Sequence, residues 1–351
     1  MVFELSSEEF RKSYKGAIML NIIYLTLINL IAFIAYGCDK HKAKKGQWRI
    51  PEKTLIFFAV IGGAFGAGLG MLIFHHKTQK KKFYLTVPAF VLIWSVIIGC
   101  LLYQNLHIVI SEYEYKSAEV PENLDGYRIV QISDLHNEFY GPSEGSLIQK
   151  IEDAKPDVIF VTGDVVDSTF TNYDLAYDFF EGAVKIAPVY YVTGNHEVRL
   201  MGERFDSFVS DLENIGVCFL DNKKTDLSGY TLIGISDKSL GFPPEELKET
   251  DSDKLTICLA HEPAYHDSYL KVGADIAFTG HIHGGQFNIP GKGGFISPDF
   301  EFFPDLYEGA HEFSDGRNSL TMYISRGLGN SIIPQRLNNY PEIVVVILRR
   351  Q

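Results

Sequence analysis

Three apolar runs limit what this chain can become more than any other feature. They cover residues 17–37, 55–74 and 83–103, and none contains an Asp, Glu, Lys or Arg. A helix needs about 20 mostly apolar residues to cross a bilayer core, and each run has that length. A cleaved signal peptide does not fit, because the first run is long and two more follow it. The reading is an integral membrane segment over residues 1–104, with helices at about 17–37, 55–74 and 83–103. A linker over 105–125 and a second domain over 126–351 follow.

Charge divides at the same place. Residues 1–103 hold 13 Lys+Arg against 5 Asp+Glu, and the whole-chain totals of 32 and 44 leave 19 against 39 for the remainder. The nets are +8 and −20, so the two parts meet different surroundings. An acidic domain lacks the basic footprint of nucleic-acid binding, and no nucleic-acid partner is expected. The bilayer is the expected partner of the first part.

Cytoplasmic loops collect Lys and Arg. Both loops between the runs, "CDKHKAKKGQWRIPEK" and "HHKTQKKK", are basic. Three simple crossings would put them on opposite faces, six positive residues in one loop against seven in the other loop plus the N-terminus, which decides nothing. The second run is rich in glycine (Gly62, Gly63, Gly66, Gly68, Gly70), which suits close helix packing or a re-entrant hairpin. A hairpin would put both basic loops inside and the C-terminal domain outside. The expectation is a multi-pass protein of the cell membrane with an extracytoplasmic catalytic domain. The runs carry no internal charge, so they lack the usual marker of an ion path.

The C-terminal part changes pattern. "YRIVQIS", "DVIFVTG", "PVYYVTG", "LTICLAH", "ADIAFTG", "TMYISRG" and "EIVVVIL" read as buried strands, and "SEGSLIQKIEDA" and "YDLAYDFFEGAVKI" have helical spacing. Strands alternating with helices predict βαβ units. Strand ends carry metal-type ligands: Asp134 and His136, Asp164, Asn195 and His196, His261, then His281 and His283. In α/β sheets, sites form at the carboxyl ends of strands. Any one of these residues reads more simply as a turn or cap; the set leaves that reading little room. Four scattered cysteines (Cys38, Cys100, Cys218, Cys258) read as small hydrophobes.

The order D-x-H, G-D-x-x-D, G-N-H-E, a lone His and G-H-x-H-G-G resembles the calcineurin-like metallophosphoesterase superfamily. "GHIHGGQ", "IPGKGG" and "YISRGLGNSIIPQRLNNYPEIVVVIL" resemble its membrane-associated bacterial branch. Protein Ser/Thr phosphatases continue the second block with Arg-Gly; Ser168 stands there instead. The resemblance implies a four-layer αββα sandwich after transmembrane α-helices. It also implies two divalent metal ions (Mn, Fe, Zn or Co), one held by Asp134, His136, Asp164 and His283. The second would be held by Asp164, Asn195, His261 and His281, with Asp164 bridging. Carboxylates offset the cation charge, while imidazole and amide ligands keep such a site electrophilic.

By the same resemblance, a hydroxide bridging the metals attacks a phosphoester or pyrophosphate bond, Asn195 and His196 touch substrate, and His196 and Asp164 are catalytic. Asp167 would orient a ligand. Arg326 and Arg336 could meet substrate phosphate or form surface ion pairs. The substrate would be a phosphorylated small molecule or a lipid-linked phosphate. A catalytically weak phosphate sensor or membrane scaffold is the alternative. "DKHKAKKGQWRIPEKTL" with "GGAFGAGLGMLIFHHKTQKKKF" resembles a small bacterial family of integral membrane proteins, which implies no activity.

Overall fold

The structure, a computed structural model, describes residues 7–351 apart from 240–242, 245–246, 248–253 and 331–332; side chains are described from residue 23 onward, Ser239 excepted. The side chains of residues 17–22 in the first apolar run, and residues 331–332 in the closing motif, lie outside the described residues. The chain forms two compact units, Met1–Tyr103 and Gln104–Gln351.

The first unit contains helices α1 (Ser7–Lys44), α2 (Glu52–Phe58) and α3 (Ala64–Ile73) and most of α4 (Lys81–Leu106). The stretches Ile23–Lys44, Glu52–Ile73 and Lys81–Leu106 are each long and apolar enough to cross a membrane. The middle one, read as a helix over about 55–74 or a re-entrant hairpin, is two helices. Helical geometry fails at Ile61 (φ −87°, ψ 19°) and Gly62 (φ 108°), between α2 and α3. A straight helix over Glu52–Ile73 would separate its ends by about 33 Å. Yet Lys77 Nζ lies 2.8 Å from Glu52 Oε1, and the buried Asp39 carboxylate binds both Arg49 and His76 at 2.7 Å. Both ends therefore lie together, and the segment doubles back.

A break of this kind frees backbone groups, which need partners wherever water is absent. Tyr24 Oη donates to Ile61 O (2.7 Å) and Trp94 Nε1 to Val60 O (3.3 Å). Asn29 Nδ2 donates to Gly62 O (2.9 Å), and Asn29 Oδ1 accepts from Gly66 N (2.7 Å). Gly66 must be glycine for space, since a Cβ there would stand 1.9 Å from the Asn29 carbonyl oxygen.

The second unit is two six-stranded sheets. The first has strand order β1-β14-β2-β3-β4-β5, built from β1 (Val109–Ser117), β2 (Arg128–Ile132), β3 (Val158–Thr162), β4 (Val189–Val192), β5 (Val217–Phe219) and β14 (Glu342–Arg350). The second has order β12-β13-β9-β8-β7-β6, from β6 (Lys223–Leu227), β7 (Tyr230–Gly234), β8 (Leu255–Leu259), β9 (Ile276–Thr279), β12 (Gly309–Ser314) and β13 (Ser319–Ile324). A small pair, β10 (Asn288–Ile289) and β11 (Gly293–Gly294), stands apart. Strands β2 to β5 are parallel, as are β7, β8, β9 and β13.

Alternation along the strands builds the layers. On one face, Val130, Ile159, Val161, Tyr191 and Val345 pack with Leu147 and Ile151 of α5 (Gly145–Asp153) and Phe179 and Phe180 of α6 (Tyr173–Ala183). On the other face, Ile129, Phe160, Val192 and Val344 meet Leu232, Ile257, Phe278 and Tyr323 of the second sheet. The outer face of that sheet, with Cys258, Ala277 and Met322, packs with Tyr269 and Leu270 of α9 (His266–Lys271). The order is helix, sheet, sheet, helix, the four-layer αββα arrangement. The short helices α7 (Asn195–Leu200) and α8 (Glu203–Asn214) follow β4.

One reading needs correction. Residues 109–117, taken as linker, form edge strand β1, parallel to β14. Its inward positions include Tyr113 and Tyr115, while Glu112 and Glu114 face outward, so a half-polar edge strand passed for a tether.

Candidate metal centre

Asp134 and His136 follow β2, Asp164 follows β3, Asn195 opens α7 after β4, His261 follows β8, and His281 and His283 follow β9. Strands β2, β3 and β4 run parallel in the first sheet, and β8 and β9 run parallel in the second, so the ligand-type residues of each sheet leave from its carboxyl ends. The β2 and β3 loops are stitched together, with Asp134 N donating to Gly163 O (3.0 Å) and His136 N to Asp164 O (2.9 Å).

Five of these residues hold left-handed backbone angles: Asp134 (φ 52°), His136 (47°), Asp164 (54°), His281 (70°) and His283 (52°). Such angles are uncommon away from glycine and cost about 1–2 kcal/mol per residue. Strain concentrated on candidate ligands is a mark of a functional site.

Six of the seven residues meet through their side chains, Asn195 being placed at the start of α7 beside them, and the contacts fall into two sets joined by the Asp164 carboxylate. Asp164 Oδ1 accepts His196 N (2.8 Å), leaving Oδ2 between two imidazoles, 3.6 Å from His136 Nε2 and 3.2 Å from His261 Nε2. On one side, His136 Nε2 lies 3.1 Å from His283 Nε2, which is 3.5 Å from Asp134 Oδ1. On the other, His261 Nε2 lies 3.3 Å from His281 Nδ1. Asp134, His136 and His283 form one group with ligand atoms in reach of a single ion; Asp164, His261 and His281 form another. Neighbouring ligands around one cation stand about 3 Å apart.

The back of three of the four rings is fixed, which selects the nitrogen that faces inward. His261 Nδ1 bonds Thr162 O (2.8 Å) and His283 Nδ1 bonds Gly329 O (3.2 Å). His281 presents Nε2 to Asp299 Oδ2 (2.9 Å) and Glu262 Oε2 (3.0 Å). Asn195 Oδ1 is buried and has no hydrogen-bond partner, an amide oxygen set as a ligand would be. Acting against burial, the carboxylates push His136, His261 and His281 up, His281 to about 10. Buried carboxylates that draw protons onto nearby imidazoles make a pocket suited to cations. These residues fit two divalent metal ions.

His196 differs from the others. Its Nδ1 accepts from Ser168 N (3.0 Å), so the neutral ring carries its proton on Nε2. Burial holds its pKa down at about 4. Asp167 stands 3.7 Å from His136 Nδ1 and 3.5 Å from His196 Nδ1, and its Oδ1 accepts from Thr169 N and Phe170 N. Both arginines have partners within the fold, Arg326 lying 3.5 Å from the part-exposed Glu308 carboxylate. Arg326 binds Glu342 at 2.9 Å, and the fully buried Arg336 donates to the Gly329 and Arg326 carbonyls.

Sequence reasoning assigned no role to several residues that build the centre. The Glu197 carboxylate accepts from the backbone N–H groups of Asp164, Val165, Val166 and Gly194 at 2.7–3.2 Å, joining the β3 and β4 loops. Its signal was visible in "GNHE". Asn339 Nδ2 donates to His283 O (2.7 Å) beneath the Gly284 turn, where a Cβ would stand 2.5 Å from Asn339 Oδ1. Glu262 sits directly after His261, but nothing local marked Asp299 or Asn339.

Comparison with known proteins agrees with this geometry. Residues 127–285 match the family described as calcineurin-like phosphoesterase, and residues 29–83 match the protein family of unknown function DUF1294. The uncharacterized metallophosphoesterase YkuE of Bacillus subtilis is 29% identical over 266 residues, 72% of this chain and 89% of that protein. The uncharacterized protein YsdA of the same organism is 42% identical over 81 residues, 23% of this chain and 91% of its own. The phosphodiesterase YaeI of Escherichia coli is 26% identical over 247 residues, covering 67% of this chain and 86% of that one. The chain is therefore a fusion, a DUF1294 segment joined to a calcineurin-like metallophosphoesterase domain.

Proposed function

We propose that this protein is a membrane-held hydrolase of phosphoester or pyrophosphate bonds whose two metal ions share Asp164. The observation that carries the reading is the Asp164 carboxylate, with one oxygen tied to the His196 backbone and the other between His136 and His261. Asp134, His136, Asp164 and His283 would hold one ion, and Asp164, Asn195, His261 and His281 the other. When bound, such a pair lowers the pKa of water and offsets the charge of a phosphoryl group.

The chain's own residues do the rest. The carboxylates of Asp134 and Asp164 would balance the charge of bound cations, and Glu197 and Asn339 hold the ligand loops. His196 offers Nε2–H as a neutral donor to a phosphoryl or leaving oxygen; its low pKa argues against an imidazolium acting as acid. With the ligand set complete, the sensor or scaffold alternative has nothing specific in its favour. The relative named a phosphodiesterase supports phosphodiesters as first substrates.

The same proposal covers the membrane. Helices α1 and α4 cross the bilayer and the Glu52–Ile73 hairpin re-enters without crossing. Ten Lys and Arg (40, 42, 44, 45, 49, 53, 77, 80, 81, 82) then share one face against Arg11, Lys12 and Lys15 on the other. The ten belong in the cytoplasm and the catalytic domain outside it.

The test is turnover of bis(p-nitrophenyl) phosphate and p-nitrophenyl phosphate by the full chain purified with Mn²⁺, beside Asp164→Asn. Wild type should turn over at least one ester, and the variant should lose about a thousandfold in kcat/KM. Equal turnover by both would end the reading.

A further inference from the structure

Large apolar side chains are unevenly exposed on the second unit. Phe139, Phe170, Met201, Tyr265, Phe300 and Phe302 are each between 38% and 61% exposed. Each stands on a segment that carries a candidate ligand or a residue bonded to one. Phe139 follows His136, Phe170 follows Asp167, Met201 ends the helix begun by Asn195, and Tyr265 follows Glu262. Phe303, on the same loop as Phe300 and Phe302, is 43% exposed; away from this rim only three described large apolar side chains of the unit reach that class of exposure. Scattered exposed apolar residues need no explanation, but their concentration on the segments that carry the candidate ligands does.

The loop bearing Phe300 and Phe302 is rooted on the ligand turn. Phe295 N and Ile296 N both donate to Gly285 O (3.0 and 3.1 Å), two residues after His283. Ile296 pairs with Phe302 across an antiparallel bridge, and Asp299 at the tip reaches His281. Phe300 (φ 63°) and Phe303 (φ 56°) hold left-handed angles that bulky residues rarely adopt. The loop is thus held in a strained form that exposes aromatic rings next to Asp299, the residue that reaches His281.

We infer that this rim seats the hydrocarbon part of the substrate, so that the natural substrate is an amphiphilic phosphoester taken from a lipid surface. The inference rests on the phosphohydrolase reading and narrows its substrate class. Metal-ligand residues that would draw a phosphate, on segments that also expose apolar side chains, match a ligand with a charged head and an apolar tail. Only His107 and Ile108 separate the end of α4 from the start of β1.

The test compares dodecyl p-nitrophenyl phosphate with methyl p-nitrophenyl phosphate, which share charge and leaving group and differ in the alkyl chain. The full chain is assayed in lipid nanodiscs with Mn²⁺, beside the double variant Phe300→Ser/Phe302→Ser, whose unchanged Mn²⁺ content confirms its fold. Partitioning of the long chain into lipid is common to both proteins and cancels in their ratio. The variant should lose about tenfold or more in kcat/KM on the dodecyl ester and less than about twofold on the methyl ester. Equal losses on both esters, or none, would overturn the inference. If wild type hydrolyses neither ester, the phosphohydrolase reading fails on its own. The rim is then judged by calorimetric binding of dodecylphosphonate against methylphosphonate in Mn²⁺. Preference for the long chain in wild type and its loss in the variant support the rim; no preference, as expected if the ring docks a protein, sinks it.

Discussion

At the scale of single residues, His196 and Glu144 make opposite use of burial. Burial holds His196 neutral, and Ser168 N fixes which nitrogen bears the proton. His196→Ala should lower kcat about a hundredfold while leaving Mn²⁺ content intact. Wild-type kcat should show no His196 limb between about pH 5 and 8. Loss of metal from the variant would instead make His196 a ligand. Glu144 is fully buried, with Oε2 accepting from Tyr140 N and Oε1 without a partner. Burial pushes its carboxyl up to about 7. A folded pKa above the unfolded value favours the protonated form, so its contribution is complete below about pH 4.5 and lost as pH rises through about 7. Glu144→Gln should therefore raise stability at about pH 8 by on the order of 2 kcal/mol and change little at about pH 4, read by thermal unfolding.

At the scale of elements, the ligand-bearing strand ends were legible because buried parallel strands are short apolar runs and each stopped at a ligand-type residue. Other elements were not. Strand β1 alternates Tyr with Glu, as an edge strand can, and so read as linker. The break in the second apolar run was foreshadowed by Gly62 and Gly63, but its partners were not, since Asn29, Tyr24 and Trp94 meet it from other helices. Asn339 and Asp299 reach the centre from loops far away in sequence, where no spacing rule applies. The hairpin carries its own prediction. Asn29→Leu removes the partners of Gly62 O and Gly66 N and should cost about 1–3 kcal/mol, seen as a lower unfolding midpoint in detergent. Gly66→Ala should be at least as damaging, because the added carbon meets backbone rather than a movable side chain. Unchanged midpoints in both would mean the hairpin does not hold in the membrane.

At the scale of the whole molecule, charge and chemistry separate along the chain. The proposed topology, with the basic loops in the cytoplasm and the net-acidic domain outside, is tested by labelling. Cysteines placed at Gln47 and Thr78 should both react with an impermeant maleimide from the cytoplasmic side only, whereas one placed at Asp315 should react from the outside. Labelling of Gln47 and Thr78 from opposite sides would restore three crossings. Chelation should abolish turnover and Mn²⁺ should restore it, with affinity falling at low pH as protons compete for His136, His261 and His281. The most direct measurement is the metal content of the full chain, counted by mass spectrometry after equilibration with Mn²⁺. The account predicts about two ions per wild-type chain and fewer than about one in Asp164→Asn, because both ions lean on that carboxylate. An unchanged metal count in Asp164→Asn, or none in wild type, would contradict it.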